Sequence, residues 1–181
     1  MTLRVPGSRF QISFVALLLM SYAAAGPLAQ DVPLEYQVKA AYLYNFVKYV
    51  EWPEPPPTLK ICVAGQNPFG TVLTDLVRNE RVRGMSIEAQ VILEPQSDCH
   101  VVFVPKTANA AAYLRLASGA PILTVGEAPQ FIEQGGLIRF RLDGGKVRFD
   151  INRSSAEKVR LRVSSRLLQL AKIVNVDGET P

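Results

Sequence analysis

Few side chains in this sequence are suited to chemistry. His100 is the only histidine, and Cys62 and Cys99 are the only cysteines. A zinc site built from these three residues would lack a fourth protein ligand, so it is a poor alternative. The sequence has no Gly-x-Ser-x-Gly motif, and its carboxylates are scattered and not paired for acid–base work. We therefore expect no metal, no cofactor and no catalytic residues, and an enzyme that uses His100 is the less favoured alternative.

The first 25 residues have the plan of a secretory signal peptide. Arg4 and Arg9 precede the short apolar run ISFVALLLM, and alanines supply the small residues of a cleavage site after Ala25. This run is shorter than the roughly 20 apolar residues that cross a bilayer, which disfavours a retained anchor. We expect a cleaved signal peptide at residues 1–25, one domain at residues 26–181 with an ordered core of about residues 35–174, and a periplasmic location without membrane insertion.

Export also bears on the two cysteines. Two cysteines in an oxidising compartment usually pair, so we expect a Cys62–Cys99 disulfide.

The charged side chains are distributed unevenly along the chain, because residues 139–172 hold ten Lys or Arg against three acids. Such a basic region favours an acidic partner surface or anionic headgroups. Nucleic acid would fit the charge, but an exported protein does not meet it.

Strands and helices alternate along the chain after residue 35. This alternation predicts an α/β fold with a mostly parallel central sheet, flanking helices and a C-terminal β-hairpin. The aromatic-rich first helix has an apolar arc too wide for a membrane-surface helix, so we expect it in the core. The predicted strands are Leu59–Gly65, Ile87–Leu93, Val101–Val104, Pro121–Val125 and Leu161–Val163. The predicted helices are Glu35–Val50, a helix from Asn67 towards Gly84, Ala108–Ala117, Ala128–Glu133, one from Ser154 and one from Ser165 through Val174.

The segment 137–152 alternates with period two around a Gly144-Gly145 turn. This turn would place Phe140 opposite Phe149, Arg139 opposite Asp150, and Arg141 opposite Arg148. A register one step over loses an apolar pair and both ion pairs, so we prefer the first. The polar face then carries a basic patch of Arg139, Arg141 and Arg148. We interpret this patch as a partner-binding surface, with an ordinary solvated strand face as the alternative.

A second candidate site lies at the carboxyl ends of the predicted parallel strands. The turn GQNPFG follows a strand and precedes a helix, which is where α/β folds bind small ligands. It lacks the Lys-Ser or Lys-Thr of a P-loop. A ligand pocket there would have Asn67, Phe69, Lys106 and Glu127 around its mouth. An ordinary strand-to-helix turn is the alternative.

Several segments together resemble the YfiR family of periplasmic repressor proteins. The resemblance runs from about Glu35 to Val174, and its most specific parts are the first and last segments. The segments are EYQVKAAYLYNFVKYVEWP, CVAGQNPFG, PILTVGE, GGLIRFRLDGGKVRFDIN and LRVSSRLLQLAKIV. The fold that this implies is a single-domain Rossmann-like α/β sandwich.

The resemblance also implies a function. It implies a regulator that binds the periplasmic sensing domain of an inner-membrane diguanylate cyclase and holds the cyclase inactive, which lowers cyclic di-GMP and restrains biofilm formation. It further implies a homodimer and repression linked to the redox state of the envelope. Some members carry a second cysteine pair in the later half of the chain, which this sequence lacks. The alternative function is a periplasmic small-ligand-binding module that serves another envelope sensor or transporter.

Overall fold

The helices and strands alternate as the sequence predicts. The computed structural model describes Thr2 and residues 31–174. The predicted cleavage site and the tail after Val174 lie outside the described residues. The helices are α1 (Leu34–Tyr49), α2 (Val72–Val77), α3 (Ala110–Ala117), α4 (Arg153–Lys158) and α5 (Ser165–Leu170). The strands are β1 (Val50–Glu51), β2 (Thr58–Ala64), β3 (Arg81–Val82), β4 (Met85–Ile92), β5 (Val101–Val104), β6 (Leu123–Gly126), β7 (Ile138–Asp143), β8 (Lys146–Asn152), β9 (Arg162–Val163) and β10 (Lys172–Val174).

Within residues 31–174, the main sheet has eight strands in the order β10-β8-β7-β6-β5-β2-β4-β3. Neighbours pair in parallel, except that β7 with β8 and β3 with β4 are antiparallel. β1 and β9 form a separate antiparallel pair. The predicted α/β fold with a mostly parallel central sheet, a C-terminal hairpin and flanking helices is confirmed.

The aromatic first helix packs into the larger core, on one face of this sheet. Phe46 is fully buried, with its ring centroid 5.2 Å from that of Phe149 and 5.7 Å from that of Phe140. Tyr42 adds a further contact with Phe149 at 5.2 Å. Aromatic pairs at these separations add to the free energy of area burial. The aromatic surface of α1 therefore serves the core, as predicted.

The opposite face of the sheet has a smaller core beneath α3. It contains the disulfide between Cys62 and Cys99, whose Cα atoms are 5.9 Å apart, and this bond confirms the predicted pairing. Phe131 is fully buried in the same core. A Cβ added at Gly126 or Gly136 would lie within 2.3 Å of its ring. The chain therefore wraps closely around Phe131, and the helix predicted at Ala128–Glu133 is wrong because this segment forms turns.

The starts of two helices also differ from the predictions. Asn67 does not cap a helix, because its side chain closes a local turn by accepting from Phe69 N at 2.9 Å and donating to Gly70 O at 2.8 Å. This turn delays α2 until Val72. The cap of α4 is Asn152, which accepts from Ser155 N, and not Ser154.

The last predicted helix is shorter than expected. Ser164 and not Ser165 caps α5, and the helix ends at Leu170. The chain then forms β10, whose Ile173 lies opposite Ile151 in parallel pairing with β8. The apolar spacing from Leu167 to Val174 resembles a helix face, but pairing with a distant strand overrides it.

Candidate partner-binding surface and the ion cluster beneath the first helix

The hairpin of β7 and β8 carries the basic patch in the predicted register. Phe140 lies opposite Phe149, Arg139 opposite Asp150, and Arg141 opposite Arg148. The inward side chains join the larger core, so the cationic side chains lie on the other face. The structure thus brings the three predicted arginines together on one face of one hairpin.

A buried carboxylate organises two of these arginines. Asp150 is 0% exposed, and its Oδ2 accepts from Arg139 Nη2 at 2.7 Å. Its Oδ1 accepts from Arg141 Nε at 2.9 Å. Arg139 also donates to Pro129 O. Because one carboxylate holds both guanidinium groups, their positions are fixed before any partner arrives.

The third arginine of the patch is more exposed. Arg148 is exposed beside Arg141, whose own guanidinium donates to Asp143 Oδ2 at 2.8 Å. The hydrogen bond from Arg141 lowers the pKa of the Asp143 carboxyl, with smaller contributions from the charges of Arg141 and Arg148. The patch is therefore a cationic strand face in which Arg148 is the side chain most open to a partner.

A second charged cluster lies beneath α1. Lys39 is only 3% exposed and Glu127 only 4%. The Lys39 ammonium donates to Glu35 and to Glu127. Burial alone lowers the pKa of Lys39, but its hydrogen bonds to Glu127 and Glu35 outweigh burial and raise it. Glu127 also accepts from Lys106 N at 3.2 Å and from the Tyr36 hydroxyl at 3.5 Å.

This cluster occupies the place where the sequence predicts a ligand pocket. Phe69 is fully buried, and its ring centroid is 5.7 Å from that of Tyr36 on α1. Glu127 pairs with α1, while the Asn67 side chain bonds within its own turn and the Lys106 side chain is exposed. The structure thus brings Phe69 and Glu127 together under Tyr36, and a ligand at this edge would have to displace that helix. Ligand binding by these residues stays a prediction.

Surface cavities lie away from this edge. One of about 560 Å³ lies between α3 and α4, with Leu114, Ile122 and Val159 in its wall. Another of about 580 Å³ lies beside Trp52 and Arg160. Within the described residues, the indole nitrogen of Trp52 is buried and has no hydrogen-bond partner. Neither cavity has a sequence motif that would have revealed it.

His100 has a structural position beside the disulfide. Its ring Nδ1 accepts from the backbone N–H of Lys60 at 3.2 Å, and its backbone N–H donates to Lys60 O at 3.0 Å. These two hydrogen bonds join β2 to the start of β5. Burial lowers the pKa of His100, with help from the Lys60 charge. Among the described residues, no group of three His, Cys, Asp or Glu side chains is placed to hold a metal ion.

The burial of these charges does not follow from the sequence. The hairpin register predicts the Arg139–Asp150 pair, but no local pattern predicts the ion pair between Lys39 and Glu127, which are 88 positions apart. The absence of a local motif explains this, because packing of α1 on the sheet brings the two charges together. One available signal was Lys39 itself, a cation between the apolar residues Val38 and Ala40 of the first helix.

The chain is similar to one protein family and to a solved structure. The model of the YfiR/HmsC-like family matches residues 36–172. Among solved structures, a conserved domain protein from Vibrio cholerae is similar, at 12% identity and a TM-score of 0.49. The match covers 76% of this chain and 59% of the Vibrio chain, so this chain spans less than two thirds of that protein. No helix in the described part of the chain is long and apolar enough to cross a bilayer.

Proposed function

The chain belongs to the YfiR/HmsC-like family, and on that basis we propose that it represses an inner-membrane diguanylate cyclase. The family is periplasmic and regulatory. The repressor would bind the periplasmic sensing domain of the cyclase, lower cyclic di-GMP and restrain biofilm formation. Its partners would be that sensing domain and a second copy of this chain. We further propose that a signal peptide at residues 1–25 directs export and that residues 26–181 form the single mature domain.

The family match over residues 36–172 is the observation that carries this proposal. The structure supports a binding role because its charged side chains are placed to meet a surface. Asp150 holds the guanidinium groups of Arg139 and Arg141 at 2.7 and 2.9 Å, so a partner need not order them. Side chains ordered in advance reduce the entropy cost of association. We therefore place the cyclase contact on the polar face of the hairpin.

The partner surface that fits this face is acidic. Arg148 and Arg141 lie directly opposite each other, so their like charges raise the local positive potential. An acidic sensing domain would be steered to this face, and carboxylates could bind the guanidinium groups with two hydrogen bonds each. The contact would then weaken as the salt concentration rises.

Repression linked to the redox state would have to act through Cys62–Cys99. Both cysteines are buried in the smaller core. Structural disulfides of this kind resist reduction, whereas exposed disulfides are the regulatory ones. We therefore propose that the bond stabilises the repressor and that the cyclase contact does not depend on its reduction.

The experiment compares Arg148→Glu with Arg115→Glu. Both change an exposed arginine by two charge units, but Arg115 lies on α3 and not on the hairpin. Arg148→Glu also removes a like-charge pair with Arg141, so the fold should tolerate it. In cells that lack the repressor, cyclic di-GMP should rise, and the wild type and Arg115→Glu should lower it again. Arg148→Glu should fail to lower it although its melting temperature matches that of the wild type.

Two results would count against this proposal. Unchanged cyclic di-GMP after deletion of the repressor would refute the function. Full repression by Arg148→Glu would leave the function standing but remove the hairpin as the contact. Biofilm mass measured on the same strains gives an independent reading.

A further inference from the structure

The cavity between α3 and α4 has an aliphatic wall. Its volume of about 560 Å³ lies within the range of about 300–1,000 Å³ that small-molecule sites have. Leu114, Ile122 and Leu137 contribute to the wall and are otherwise buried, and Val159 of α4 adds a fourth apolar side chain. Such a surface favours an apolar ligand, because each methylene group that leaves water contributes to binding.

Small residues keep the mouth of this cavity open. Ser118 and Gly119 follow the end of α3 at Ala117, and Gly135 lies shortly before β7. Both glycines have positive φ angles, of +77° and +98°, and a Cβ added at either would meet none of the described atoms within 4 Å. The chain can therefore turn at both places without placing a side chain over the opening.

The sheet contributes Thr124 of β6 to the floor of the cavity. Its neighbours Leu123 and Val125 belong to the larger core, so the alternation of a strand directs Thr124 to the face that carries α3. The Oγ1 atom of Thr124 already accepts a hydrogen bond from Leu137 N at 3.0 Å. A buried hydroxyl bonded in this way does not require a polar group from a ligand. The inner part of the cavity can therefore hold a hydrocarbon chain.

The rim of the cavity is polar and cationic. Lys158, in the last turn of α4, is exposed and lines the cavity. Gln134 and Ser118 are also exposed there and add amide and hydroxyl donors. Among the described residues, no Asp or Glu side chain lines the cavity. The rim therefore fits a carboxylate and disfavours a cationic ligand.

We propose that this cavity binds a medium-chain fatty acid. The carboxylate would accept hydrogen bonds at the rim from Lys158 and Gln134, and the hydrocarbon chain would lie inside, against Leu114, Ile122 and Val159. Within residues 31–174, no Phe, Tyr or Trp lines the cavity. This favours a flexible chain over an aromatic acid, because ring ligands gain from contacts with aromatic side chains.

This inference goes beyond the proposed repression and does not rest on it. The cavity adjoins the start of β7, whereas Arg148 lies close to the turn of the hairpin. Fatty-acid binding is measured on the purified protein without the cyclase. Failure to bind would therefore leave the proposed repression standing, and failure to repress would leave the cavity proposal standing.

The first test titrates decanoate into the protein purified from the periplasm, by isothermal titration calorimetry at about pH 7.5, where the carboxylate is ionised. We expect saturable binding to one site per chain with a dissociation constant below about 100 µM. Each methylene removed should weaken binding about fourfold, so octanoate should bind about 15-fold more weakly. Decanol, which lacks the carboxylate, should bind at least about tenfold more weakly than decanoate.

The second test fills the cavity from α3. Ala111 is exposed and lines the cavity, so the ring introduced by Ala111→Phe would occupy it without disturbing a core. Decanoate should then bind at least about tenfold more weakly. Ala112→Phe is the matched control, because Ala112 is the next residue of the same helix and does not line the cavity. The control should bind decanoate as the wild type does, and both variants should melt near the wild-type temperature.

The third test reverses the charge at the rim. Lys158→Glu should weaken decanoate binding at least about tenfold and leave decanol binding unchanged, because only decanoate is charged. Arg166→Glu is the control, because Arg166 is an exposed cation on α5 that does not line the cavity. A wild type without saturable decanoate binding, or an Ala111→Phe variant that binds as the wild type does, would overturn the proposal. Decanol that binds as tightly as decanoate, or Lys158→Glu without effect on decanoate, would overturn recognition of the carboxylate at the rim.

Discussion

Replacement of Lys39 by Met tests whether the buried ion cluster holds α1 on the sheet. The change keeps most of the side-chain volume but removes the ammonium that donates to Glu35 and Glu127. Glu127 would keep the Lys106 N–H at 3.2 Å and the longer contact with the Tyr36 hydroxyl at 3.5 Å. Removing one partner of a buried pair costs about 3–5 kcal/mol of unfolding free energy. We expect about 3 kcal/mol, at the lower end, because the backbone donor remains.

The assay is urea unfolding at pH 7 together with a thermal melt. A loss of about 3 kcal/mol corresponds to a fall in melting temperature of about 6–12 °C for a domain of this size. Lys48→Met is the matched control, because Lys48 lies on the same helix with its ammonium 3.9 Å from the Tyr44 ring centroid, near the surface. It should change the unfolding free energy by less than about 1 kcal/mol.

The double variant Lys39→Met with Glu127→Gln separates charge from packing. The amide oxygen introduced by Glu127→Gln would still accept from Lys106 N, and no buried unpaired charge would remain, because the Glu35 side chain is 33% exposed. This variant should recover most of the loss, because a buried ion pair replaced as a whole is often neutral in stability. If Lys39→Met unfolds within about 1 kcal/mol of the wild type, or if the double variant is no more stable than the single one, the cluster does not anchor the helix.

The pH dependence of the unfolding free energy gives a further check on the role of Lys39. The pKa of Lys39 is raised in the folded protein, so its contribution to stability is complete below its ordinary value of 10.5. The contribution is lost as the pH rises through the folded value. The deficit of Lys39→Met relative to the wild type should therefore stay the same between about pH 7 and 9 and shrink as the pH rises above 10.5, and a deficit that does not shrink there would contradict the argument.

Two further predictions concern the region of the disulfide. Reduction of Cys62–Cys99, which closes a loop with a sequence separation of 37, should lower the unfolding free energy by about 4 kcal/mol; a Cys62→Ala/Cys99→Ala variant should then show no response to reductant in the same melts. The pKa of His100 is lowered in the folded protein by burial and by Lys60, so protonation favours the unfolded chain and stability should fall as the pH drops below 6.5. In His100→Gln this fall in unfolding free energy between about pH 7.5 and pH 5 should be smaller than in the wild type. An equal fall in both proteins would mean that other groups cause it.

The hairpin shows how far the sequence alone could predict the structure. Its register followed from local information, because Gly144-Gly145 fixed the turn and Phe140 with Phe149 marked the buried face. The observed pairing of Arg139 with Asp150 agrees. The Cys62–Cys99 pairing followed from composition and compartment. In both cases a short segment or a single pair of residues was enough to determine the structure.

Two features that the sequence did not predict depend on contacts distant in sequence, and a third depends on close packing around one side chain. Local propensity cannot show that Ile173 pairs with Ile151 of β8, so the helix from Ser165 was predicted too long. The segment from Ala128 to Glu133 forms turns because Phe131 fills the space between two glycines, which helix propensity does not include. Likewise, Lys39 and Glu127 meet only after α1 has packed on the sheet.

The position of α1 also explains why surfaces are the better candidates for function. In open α/β sheets, ligands bind at the carboxyl ends of the strands where the strand order reverses, which here is between β2 and β5. Phe69 lies at that point, packed against both Phe103 and the Tyr36 ring of α1. Lys39 secures the same helix to Glu127. A ligand there would have to break a buried ion pair as well as aromatic contacts, whereas a protein partner at the hairpin would meet Arg148, which is already exposed.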